Sequence, residues 1–506
     1  MVTKLSELEM RFGGNLTPNG MKDIDYKNQN VHFLRFAGAS CPICGHKTWC
    51  QVNATGTKII CQRVKQTTES INGFKYVKDI KAIGGYLYKL VNLDEAVKFD
   101  ANAINYNHTF PMASPKVTDT MYRLLLQAYP LTQSHLENLK KRGLSDEDIN
   151  LHHSRGFGSF YLKRADGKPY FIQAKLKPSD DGKIICLSRW NNVLKKYKLP
   201  ENLWHGVPGF YLSTASFRGQ DFSFPNFSTV NGKNEKHAPE GMLIPYYDEY
   251  NRIRAFQIRI DHPKKYAVIK QGLRLNEGDL KVYINDDDTY SVYCYAFGKK
   301  EMIAKGKLDG KKEVTLSYGV DVMKENYTFE VSSEAKYYWV SSLSEKDGAD
   351  TTGKWPVQVA YNPTVAQLNP NNPEERQCLQ KYIDKPKAIW VTEGGLKGYI
   401  TAMKLSKAFT KEQLDDYGRD VLAVAGVNSY RKFLPMLKKL HVTTVTIAYD
   451  MDMLQNDQVA DNYSNLINML HENGFKVQLA VWQPDKAKGI DDALSAGIEV
   501  QVTPYK

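Results

Sequence analysis

The chain has 506 residues, too many for one ordinary hydrophobic core, so roughly two to four domains are expected. Its hydrophobic (42%) and charged (25%) fractions indicate a soluble, globular protein. No apolar run approaches the length of about 20 residues that spans a bilayer, and the start, MVTKLSELEMRF, lacks a signal-peptide core. We therefore expect a cytoplasmic protein without membrane contact, and the net charge of +12 favours nucleic acid as its partner.

Four of the seven cysteines crowd into one stretch, CPICGHKTWCQVNATGTKIIC. Cys41 and Cys44 form a C-P-x-C-G knuckle, a tight turn that directs two thiolates at one metal ion. Cys50 and Cys61 bracket a predicted hairpin that turns near Thr55, and facing positions on paired strands lie within about 5 Å. The spacing therefore predicts a closed four-thiolate site for structural Zn²⁺, not a disulfide scaffold.

The predicted zinc ribbon, residues 31–95, also carries basic and aromatic residues. Trp49 and Arg63 are its predicted contacts to single-stranded nucleic acid, because bases stack on aromatic rings and cations attract phosphates. The alternative is that Trp49 only covers the small core. His46 is an alternative zinc ligand, although we expect it in the knuckle turn.

Residues 116–266 are predicted to form the first part of an α+β domain, after a polar, proline-bearing linker at 96–118. Two short helices are predicted within 119–150. The first ends at Gly143, and the second begins at Ser145, which has an acid at capping-box spacing.

The following region is predicted to be mostly β. The stretch GMLIPYYDEYNRIRAFQIRI, residues 241–260, predicts a hairpin that turns near Glu249–Asn251. Residues 267–335 alternate at period two and predict a β-rich insertion, after which 336–385 return to the interrupted domain.

Strands and helices alternate in the last region, residues 386–506. The runs AIWV, VLAVAG, VTTVTIAY and KVQLAVW predict four strands, and the segments between them show helical spacing. This order predicts an open parallel sheet with helices on its faces. Gly394 and Gly395 leave room for phosphate to approach the N–H groups at a helix N-terminus.

Five acids are predicted at one edge of this sheet. Glu393 follows the first strand, Asp450 and Asp452 end the third, and Asp491 and Asp492 follow the fourth. Ligands of such sheets bind outside the carboxyl ends of the strands. Clustered carboxylates repel one another unless a cation neutralises them, and oxygen ligands select Mg²⁺ or Mn²⁺, which serve phosphoryl transfer. Each acid taken alone is more often a helix cap or part of a solvated loop end, and the order of all five favours the metal site.

Several motifs resemble a known family. WVTEGGLKG followed by IAYDMDMLQND resembles the Toprim domain of bacterial-type primases, topoisomerases, some nucleases and recombination mediators. KGIDDAL is similar to the distal acidic motif of phage and plasmid primase-like Toprim proteins, and the cysteine stretch followed by GGYLYKL resembles their zinc module. LKKRGLSDEDI and the hairpin at 241–260 resemble segments that lead into the primase core. The resemblance implies a multidomain α/β protein of a phage, plasmid or other mobile element, with a β zinc ribbon and a C-terminal Toprim domain.

The resemblance also implies roles for individual residues. Glu393 would be the catalytic acid–base or a metal ligand. Asp450 and Asp452 would be the metal-binding catalytic pair, and Asp491 or Asp492 would support them. Lys397 and Gly398 stand where cellular primases carry a further acid, and this departure leaves the number of metal ions open. Contacts to template or nucleotide are expected at Arg252, Arg259, Lys264, Lys265 and Lys397.

The activity implied is that of a DNA primase, a DNA-directed RNA polymerase that makes short primers on single-stranded DNA from nucleoside triphosphates. No helicase motor is evident in the sequence, so a separate replicative helicase is expected as a partner. A Toprim nuclease could use the same acids. A non-catalytic accessory protein of replication or recombination would instead depend on the zinc module. A topoisomerase is disfavoured because no nucleophilic tyrosine stands out among the 31 tyrosines.

Overall fold

The computed structural model shows a mixed α/β protein with several sheets, as the sequence predicts. It describes residues 8–9, 12, 16–24, 30–37, 39–46, 49–67, 70–80, 85–92, 111–151, 156–163, 172–179, 183–229, 240–271, 278–285, 287–296, 299–318, 325–342, 345–349, 356–451 and 457–505. The first compact unit comprises Met1–Ala238, Leu243–Gln257 and Trp339–Lys506, and the second comprises Pro239–Met242 and Ile258–Tyr338. Among the helices of the described segments, none has the length and apolar character that a bilayer crossing demands.

The first unit begins with a six-stranded antiparallel sheet. Its strands are β1 (Leu16–Ile24), β2 (Asn30–Phe36), β3 (Gln51–Asn53), β4 (Lys58–Cys61), β5 (Phe74–Ile80) and β6 (Gly85–Leu90), in the order β1-β2-β3-β4-β6-β5. Leu34, Val52, Ile59 and Tyr88 form part of its buried core. The sheet starts at Leu16, upstream of the start predicted for the zinc ribbon, because β1 pairs with β2.

Three helices follow: α1 (Pro115–Ala128), α2 (Gln133–Lys141) and α3 (Asp146–Asn150). The first was not predicted, and it begins inside the segment interpreted as a linker. Pro115 is compatible with this start because the first helical turn needs no backbone donor, and the Ser114 hydroxyl accepts from the backbone of Val117. The predicted capping box is confirmed, since Ser145 and Asp148 exchange hydrogen bonds of 2.8 and 3.1 Å.

The next strands form three small sheets. The elements are β7 (Gly158–Phe160), β8 (Ala174–Pro178), β9 (Ile184–Ser188), α4 (Arg189–Lys196), β10 (Phe210–Phe217), β11 (Gln220–Phe227), β12 (Gly241–Tyr247) and β13 (Ile253–Ile260). β8 pairs with β9, β10 pairs with β11, and β12 lies between β13 and β7. The predicted hairpin at 241–260 is confirmed. Its turn contains Asn251, which has a φ of 57° and donates to the Asp248 carbonyl at 3.1 Å.

The second unit is built almost entirely of strands, as predicted for residues 267–335. They are β14 (Lys265–Gln271), β15 (Gly278–Ile284), β16 (Thr289–Ala296), β17 (Lys299–Lys307), β18 (Glu313–Tyr318), β19 (Glu325–Ser333) and β20 (Tyr337–Trp339), which ends just beyond the unit. Two antiparallel sheets, β14-β19-β18 and β15-β16-β17, share a core that includes Tyr290, Val292, Leu308 and Phe329.

The C-terminal region contains the predicted parallel sheet. The strands are β21 (Gln358–Ala360), β22 (Lys387–Glu393), β23 (Val421–Val424), β24 (Val442–Ile447), β25 (Lys476–Val481) and β26 (Gln501–Pro504), in the order β21-β23-β22-β24-β25-β26. The four central strands are parallel, as expected. β21 and β26 add antiparallel edges that the sequence did not predict.

Helices connect these strands. They are α5 (Pro363–Ala366), α6 (Pro373–Ile383), α7 (Gly395–Ala408), α8 (Lys411–Tyr417), a 3₁₀ helix (Val427–Lys432), α9 (Phe433–Lys439), α10 (Asp457–Glu472) and α11 (Ile490–Ser495). α7 packs against β21, β22, β23 and α11. A Cβ on Gly398 would lie 2.7 Å from the Ala423 Cβ, so a glycine at this position permits the close approach of α7 to β23.

Candidate active site and metal centre

The four clustered cysteines converge on one point. The sulfur atoms of Cys41, Cys44, Cys50 and Cys61 all lie within 4.8 Å of one another. The Sγ atoms of Cys44 and Cys50 are 3.5 Å apart, and those of Cys50 and Cys61 are 3.9 Å apart. Tetrahedral zinc with Zn–S bonds of about 2.3 Å places its sulfurs about 3.8 Å apart. The donor set therefore fits, and the four cysteines could hold a structural metal such as zinc.

The knuckle turn is held by its own backbone. Gly45 donates to the Cys41 carbonyl at 2.7 Å, and Cys41 donates to the His46 carbonyl at 2.9 Å. Gly45 has a φ of 72°, a conformation that residues with a Cβ rarely adopt. The ring Nδ1 of His46 lies 2.9 Å from the Cys44 carbonyl oxygen. His46 therefore lies in the turn, as expected, and the fourth sulfur comes from Cys61.

The hairpin of β3 and β4 supplies the sulfurs of Cys50 and Cys61, and backbone N–H groups beside it donate hydrogen bonds to them. Gln51 pairs with Ile60, so Cys50 and Cys61 lie on facing ends of β3 and β4. The backbone N–H groups of Gln62 and Val64 lie 3.4 Å from the sulfurs of Cys50 and Cys61. The hydrogen bond with the neighbouring Cys41 thiol lowers the pKa of Cys61 below its ordinary value. N–H donors of this kind orient and stabilise thiolate ligands.

The predicted nucleic-acid contacts of this module lie on its surface. Trp49 is 57% exposed and has a φ of 74°, so its ring does not cover the small core. Arg63 is exposed as well. The exposure makes both side chains accessible, and their binding of nucleic acid stays a prediction.

Three of the five predicted acids meet at the carboxyl edge of the parallel sheet. Glu393 is the last residue of β22, Asp450 follows β24, and Asp491 lies in α11 after β25. A Cβ built on Gly489 would lie 2.6 Å from Asp491 Oδ1 and 3.3 Å from Asp450 Oδ1. The two aspartates therefore converge beside Gly489, where the loops after β24 and β25 are linked by a hydrogen bond of 3.1 Å from Met451 to the Lys488 carbonyl.

Lys397 lies among these carboxylates. It is one helical turn after Glu393, and its Nζ lies 3.7 Å from Glu393 Oε1. The same Nζ forms an ion pair with Asp450 Oδ1. The side chains of Lys397 and Asp450 are only 17% and 13% exposed. The ammonium group is therefore a largely buried cation inside the acidic edge, rather than a solvated surface charge.

Two further cations border the acids, and the sequence did not predict either. The Nζ of Lys488 lies 4.0 Å from Asp450 Oδ2, and Arg142 Nη1 lies 3.9 Å from Asp491 Oδ2. Arg142 lies between α2 and α3, and its carbonyl accepts a hydrogen bond of 2.9 Å from the Ser495 hydroxyl of α11. The basic run KKRG before a helix cap was the available sequence signal.

Burial distinguishes the two adjacent aspartates of α11. Asp491 is buried, and this raises its pKa above the ordinary value, while the positive charge of Lys397 opposes the shift. Asp492 is exposed. Asp491 is therefore the acid that faces Asp450 and Lys397, and Asp452 lies outside the described residues.

The acids do not form a closed ligand set of the kind that the cysteines form. Within the described segments, the four cysteines are the group of metal-ligating side chains whose atoms all lie within 4.8 Å of one another. Glu393, Asp450 and Asp491 are spaced more widely, with Lys397 between the first two. Binding of Mg²⁺ or Mn²⁺ at this edge stays a prediction.

The N-terminus of α7 differs from the phosphate site that its glycines suggested. Gly394 has a φ of 83°, and its N–H donates to the Val424 carbonyl at 2.6 Å. The N–H of Gly395 donates to the Tyr246 hydroxyl at 3.1 Å. A Cβ on Gly395 would lie 2.5 Å from the Tyr246 ring. Both N–H groups thus have protein partners, and Gly395 is explained by the close approach of a tyrosine.

The remaining predicted contacts have varied surroundings. Arg252 donates to Asp248 at 2.9 Å and lies 3.8 Å from Glu249, so its guanidinium stabilises the hairpin turn. In the second unit, Lys265 forms an ion pair with Asp288. Arg259 is half-buried and Lys264 is exposed in that unit. Their contacts to template or nucleotide stay predictions.

Comparison with known families gives one partial match. A model described as a domain of unknown function (DUF3854) matches residues 379–499. That segment contains Glu393, Asp450 and Asp491 together with Lys397 and Lys488, whereas Arg142 lies outside it. No curated protein and no solved structure matches the chain. The fold and the two sites define a multidomain α/β protein that has a four-cysteine module and an acidic edge on a parallel sheet.

Proposed function

We propose that the protein is a DNA primase-like nucleotidyltransferase whose C-terminal region, residues 386–506, is a Toprim catalytic domain. One observation carries the proposal. Glu393, Asp450 and Asp491 follow three strands that are neighbours in the sheet, β22, β24 and β25, and they surround Lys397 at the carboxyl edge of the sheet. An acidic edge of this kind suits metal-dependent phosphoryl transfer.

The acids would have separate roles in nucleotide addition. Asp450 and Asp491, with Asp452, would hold Mg²⁺ or Mn²⁺, which when bound activates a 3′-hydroxyl and neutralises the departing pyrophosphate. Glu393 would accept the proton of the attacking hydroxyl. Lys397 fixes Asp450 and balances part of the negative charge.

The two cations beside the acids, Arg142 and Lys488, would suit a nucleotide substrate. Arg142 and Lys488 stand beside the carboxylates at 3.9 and 4.0 Å, and both carry charges that would attract the triphosphate of an incoming nucleotide. The four-cysteine module would bind zinc and hold single-stranded template through Trp49 and Arg63. The partners would be template DNA, nucleoside triphosphates and a separate replicative helicase, in the cytoplasm of a host that carries a phage or other mobile element.

The proposal is tested by primer synthesis. Full-length protein is incubated with single-stranded DNA of varied sequence, labelled ribonucleotides or deoxyribonucleotides, and Mg²⁺ or Mn²⁺. We expect short labelled oligonucleotides from the wild type and none from Glu393→Gln. Absence of products on every template, with both nucleotide types and both metals, contradicts the proposal.

A Toprim nuclease is the second candidate, and the occupied N–H groups of Gly394 and Gly395 favour it, because a nuclease needs no triphosphate cradle. Metal-dependent cleavage of labelled DNA without added nucleotides would support this candidate. The third candidate is a non-catalytic accessory protein. It predicts DNA binding that survives Glu393→Gln but not Cys50→Ser.

A further inference from the structure

One face of the second unit carries tyrosines and lysines together. On the sheet β15-β16-β17, Tyr290, Val292 and Cys294 are buried on the core side. Their neighbours therefore lie on the opposite side, because side chains alternate along a strand. We call this surface the tyrosine–lysine face and define it as Lys281, Tyr283, Tyr293, Tyr295 and Lys300.

The register of the strands brings these residues together. Lys281 is directly opposite Tyr293, and Tyr295 is directly opposite Lys300. Tyr283 and Tyr293 meet edge to face, with ring centroids 5.7 Å apart. The hydroxyl groups of Tyr283 and Tyr295 lie 3.2 Å apart. The three rings therefore form one contiguous aromatic surface.

The lysines of the face lie over these rings. The Nζ of Lys300 is 4.0 Å from the centroid of Tyr293, and that of Lys281 is 4.7 Å from the centroid of Tyr295. Both lysines are exposed, and Tyr283 is 45% exposed. Cation–π contacts at exposed sites are weak, so the lysines can turn from the rings to a stronger partner such as a phosphate.

Two acids in the turn of the same hairpin are engaged elsewhere, whereas a third acid, Asp279, is directly opposite Tyr295 in the strand register. Asp287 accepts hydrogen bonds from Thr289 in the turn, and its pKa is lowered by them. Asp288 forms an ion pair with Lys265. The positive charge of Lys281 and Lys300 is therefore not cancelled by these two carboxylates.

We propose that the tyrosine–lysine face binds single-stranded nucleic acid. Tyr283 is exposed and Tyr293 and Tyr295 are half-buried, so the accessible parts of the rings offer stacking surfaces to unpaired bases, and the adjacent lysines offer charge to the phosphates between those bases. A protein partner with an acidic surface would use the lysines but would not need three adjacent rings. The inference does not depend on the acid site, since every residue of the face lies in the second unit.

The first test measures binding of a fluorescent oligo(dT) to full-length protein by anisotropy at several salt concentrations. Lys281→Gln with Lys300→Gln should weaken binding at least about tenfold and reduce the slope of log Kd against log salt by about 1.4. The matched control is Lys311→Gln with Lys312→Gln, which removes the same charge from exposed lysines between β17 and β18. Equal affinity and slope in the two double variants overturn the proposal.

A second comparison separates stacking from folding. Tyr293→Phe with Tyr295→Phe keeps the rings and should bind like the wild type, whereas Tyr293→Leu with Tyr295→Leu should weaken binding about tenfold or more. Ultraviolet crosslinking of an oligonucleotide that contains 5-bromodeoxyuridine should modify the tyrosines of the face. Crosslinks only at other sites, or displacement of the oligonucleotide by polyglutamate as readily as by unlabelled DNA, contradict the proposal.

The same experiments distinguish this inference from the proposed catalysis. Glu393→Gln should crosslink through the face as the wild type does, because it changes only the acid site. Primer synthesis without crosslinks at the face would refute the inference and leave the catalytic proposal standing. Crosslinks at the face without primer synthesis would support the inference and contradict the catalytic proposal.

Discussion

The ammonium group of Lys397 forms an ion pair with the Asp450 carboxylate at the carboxyl edge of the parallel sheet. Lys397 lies in the first turn of α7 and Asp450 lies in the loop after β24, and the side chain of each is mostly buried. A cation supplied by the chain thus stands where acids alone would repel one another. Because Lys397 pairs with Asp450, its removal should have opposite effects on metal affinity and on turnover.

Lys397→Ala should bind Mn²⁺ more tightly and react more slowly. Removing the ammonium frees Asp450 and eliminates repulsion of the metal, so we expect affinity to rise roughly tenfold. Turnover should fall about a hundredfold because a preorganised positive charge is lost. Calorimetric titration with Mn²⁺ and an activity assay measure the two effects, with Lys407→Ala on the exposed side of the same helix as control. A parallel loss of both quantities would contradict this account.

Gly489→Ala should damage the site without unfolding the protein. Gly489 has a φ of −102°, which alanine adopts readily, but it is also the N-cap of α11, where alanine is less favourable than glycine, so the cost to stability should be about 1 kcal/mol. The new methyl group would displace the carboxylate of Asp491, whose Oδ1 lies 2.6 Å from its position. We expect Mn²⁺ affinity to fall about tenfold. Gly426→Ala, at the end of β23, is the control, and equal Mn²⁺ affinity in both variants would refute the prediction.

Much of this edge follows from the sequence, because parallel strands place their carboxyl ends together. That rule located Glu393 and Asp450 relative to one another. It could not choose between Asp491 and Asp492, since the choice depends on the rotation of a short helix. It could not find Arg142 either, because that contact depends on how the loop between α2 and α3 packs against α11.

Elsewhere in the fold, too, some features could be predicted from the sequence and others could not. The four-cysteine hairpin was predictable because the spacing constrains the register. β21 and β26 have three and four residues, too few for a pattern to appear, so the antiparallel edges were missed. Helix α1 was missed because its first residues resemble a linker, although Pro115 is well suited to a helix start.

Cys50→Ser should abolish stoichiometric zinc binding. One zinc per chain is expected in the wild type, because four sulfurs converge in a closed site. The variant should lose the metal, and the hairpin of β3 and β4 should become susceptible to limited proteolysis. Elemental analysis by mass spectrometry measures the zinc. Cys186→Ser, outside the cluster, should retain it, and zinc-free wild-type protein would be inconsistent with the site.

Arg252→Ala should reduce stability more than it reduces binding of nucleic acid. Its guanidinium compensates Asp248, whose side chain is 5% exposed, and loss of a partner of a buried charge costs roughly 3–5 kcal/mol, less here because Arg254 Nη1 also lies 3.7 Å from this carboxylate. Arg252→Ala with Asp248→Asn should recover part of the loss, because the buried carboxylate is removed, although Arg254, whose Nη1 lies 3.7 Å from Asp248, then loses its acid partner. Urea unfolding of the three proteins measures the effect. Full stability of Arg252→Ala together with weakened DNA binding would instead support a template contact.

The same pair predicts a pH dependence. Burial raises the pKa of Asp248 above 3.8 in the folded chain, so the folded state holds the proton more tightly than the unfolded state. The free energy of unfolding contributed by this group therefore falls as pH rises through the folded pKa. Without Arg252 the pKa rises further, so the deficit of Arg252→Ala should grow from low pH to neutral pH. A deficit that shrinks on this change of pH would contradict the assignment.

The central claim is that the acids at the carboxyl edge of the sheet bind a divalent ion, with Asp491 rather than Asp492 among its ligands. Electron paramagnetic resonance of bound Mn²⁺ tests it with two adjacent residues, since Asp491 is buried at the edge and Asp492 is exposed. The account predicts that the wild type and Asp492→Asn bind Mn²⁺ alike, whereas Asp491→Asn binds it at least about tenfold more weakly. Equal binding by all three proteins would contradict it.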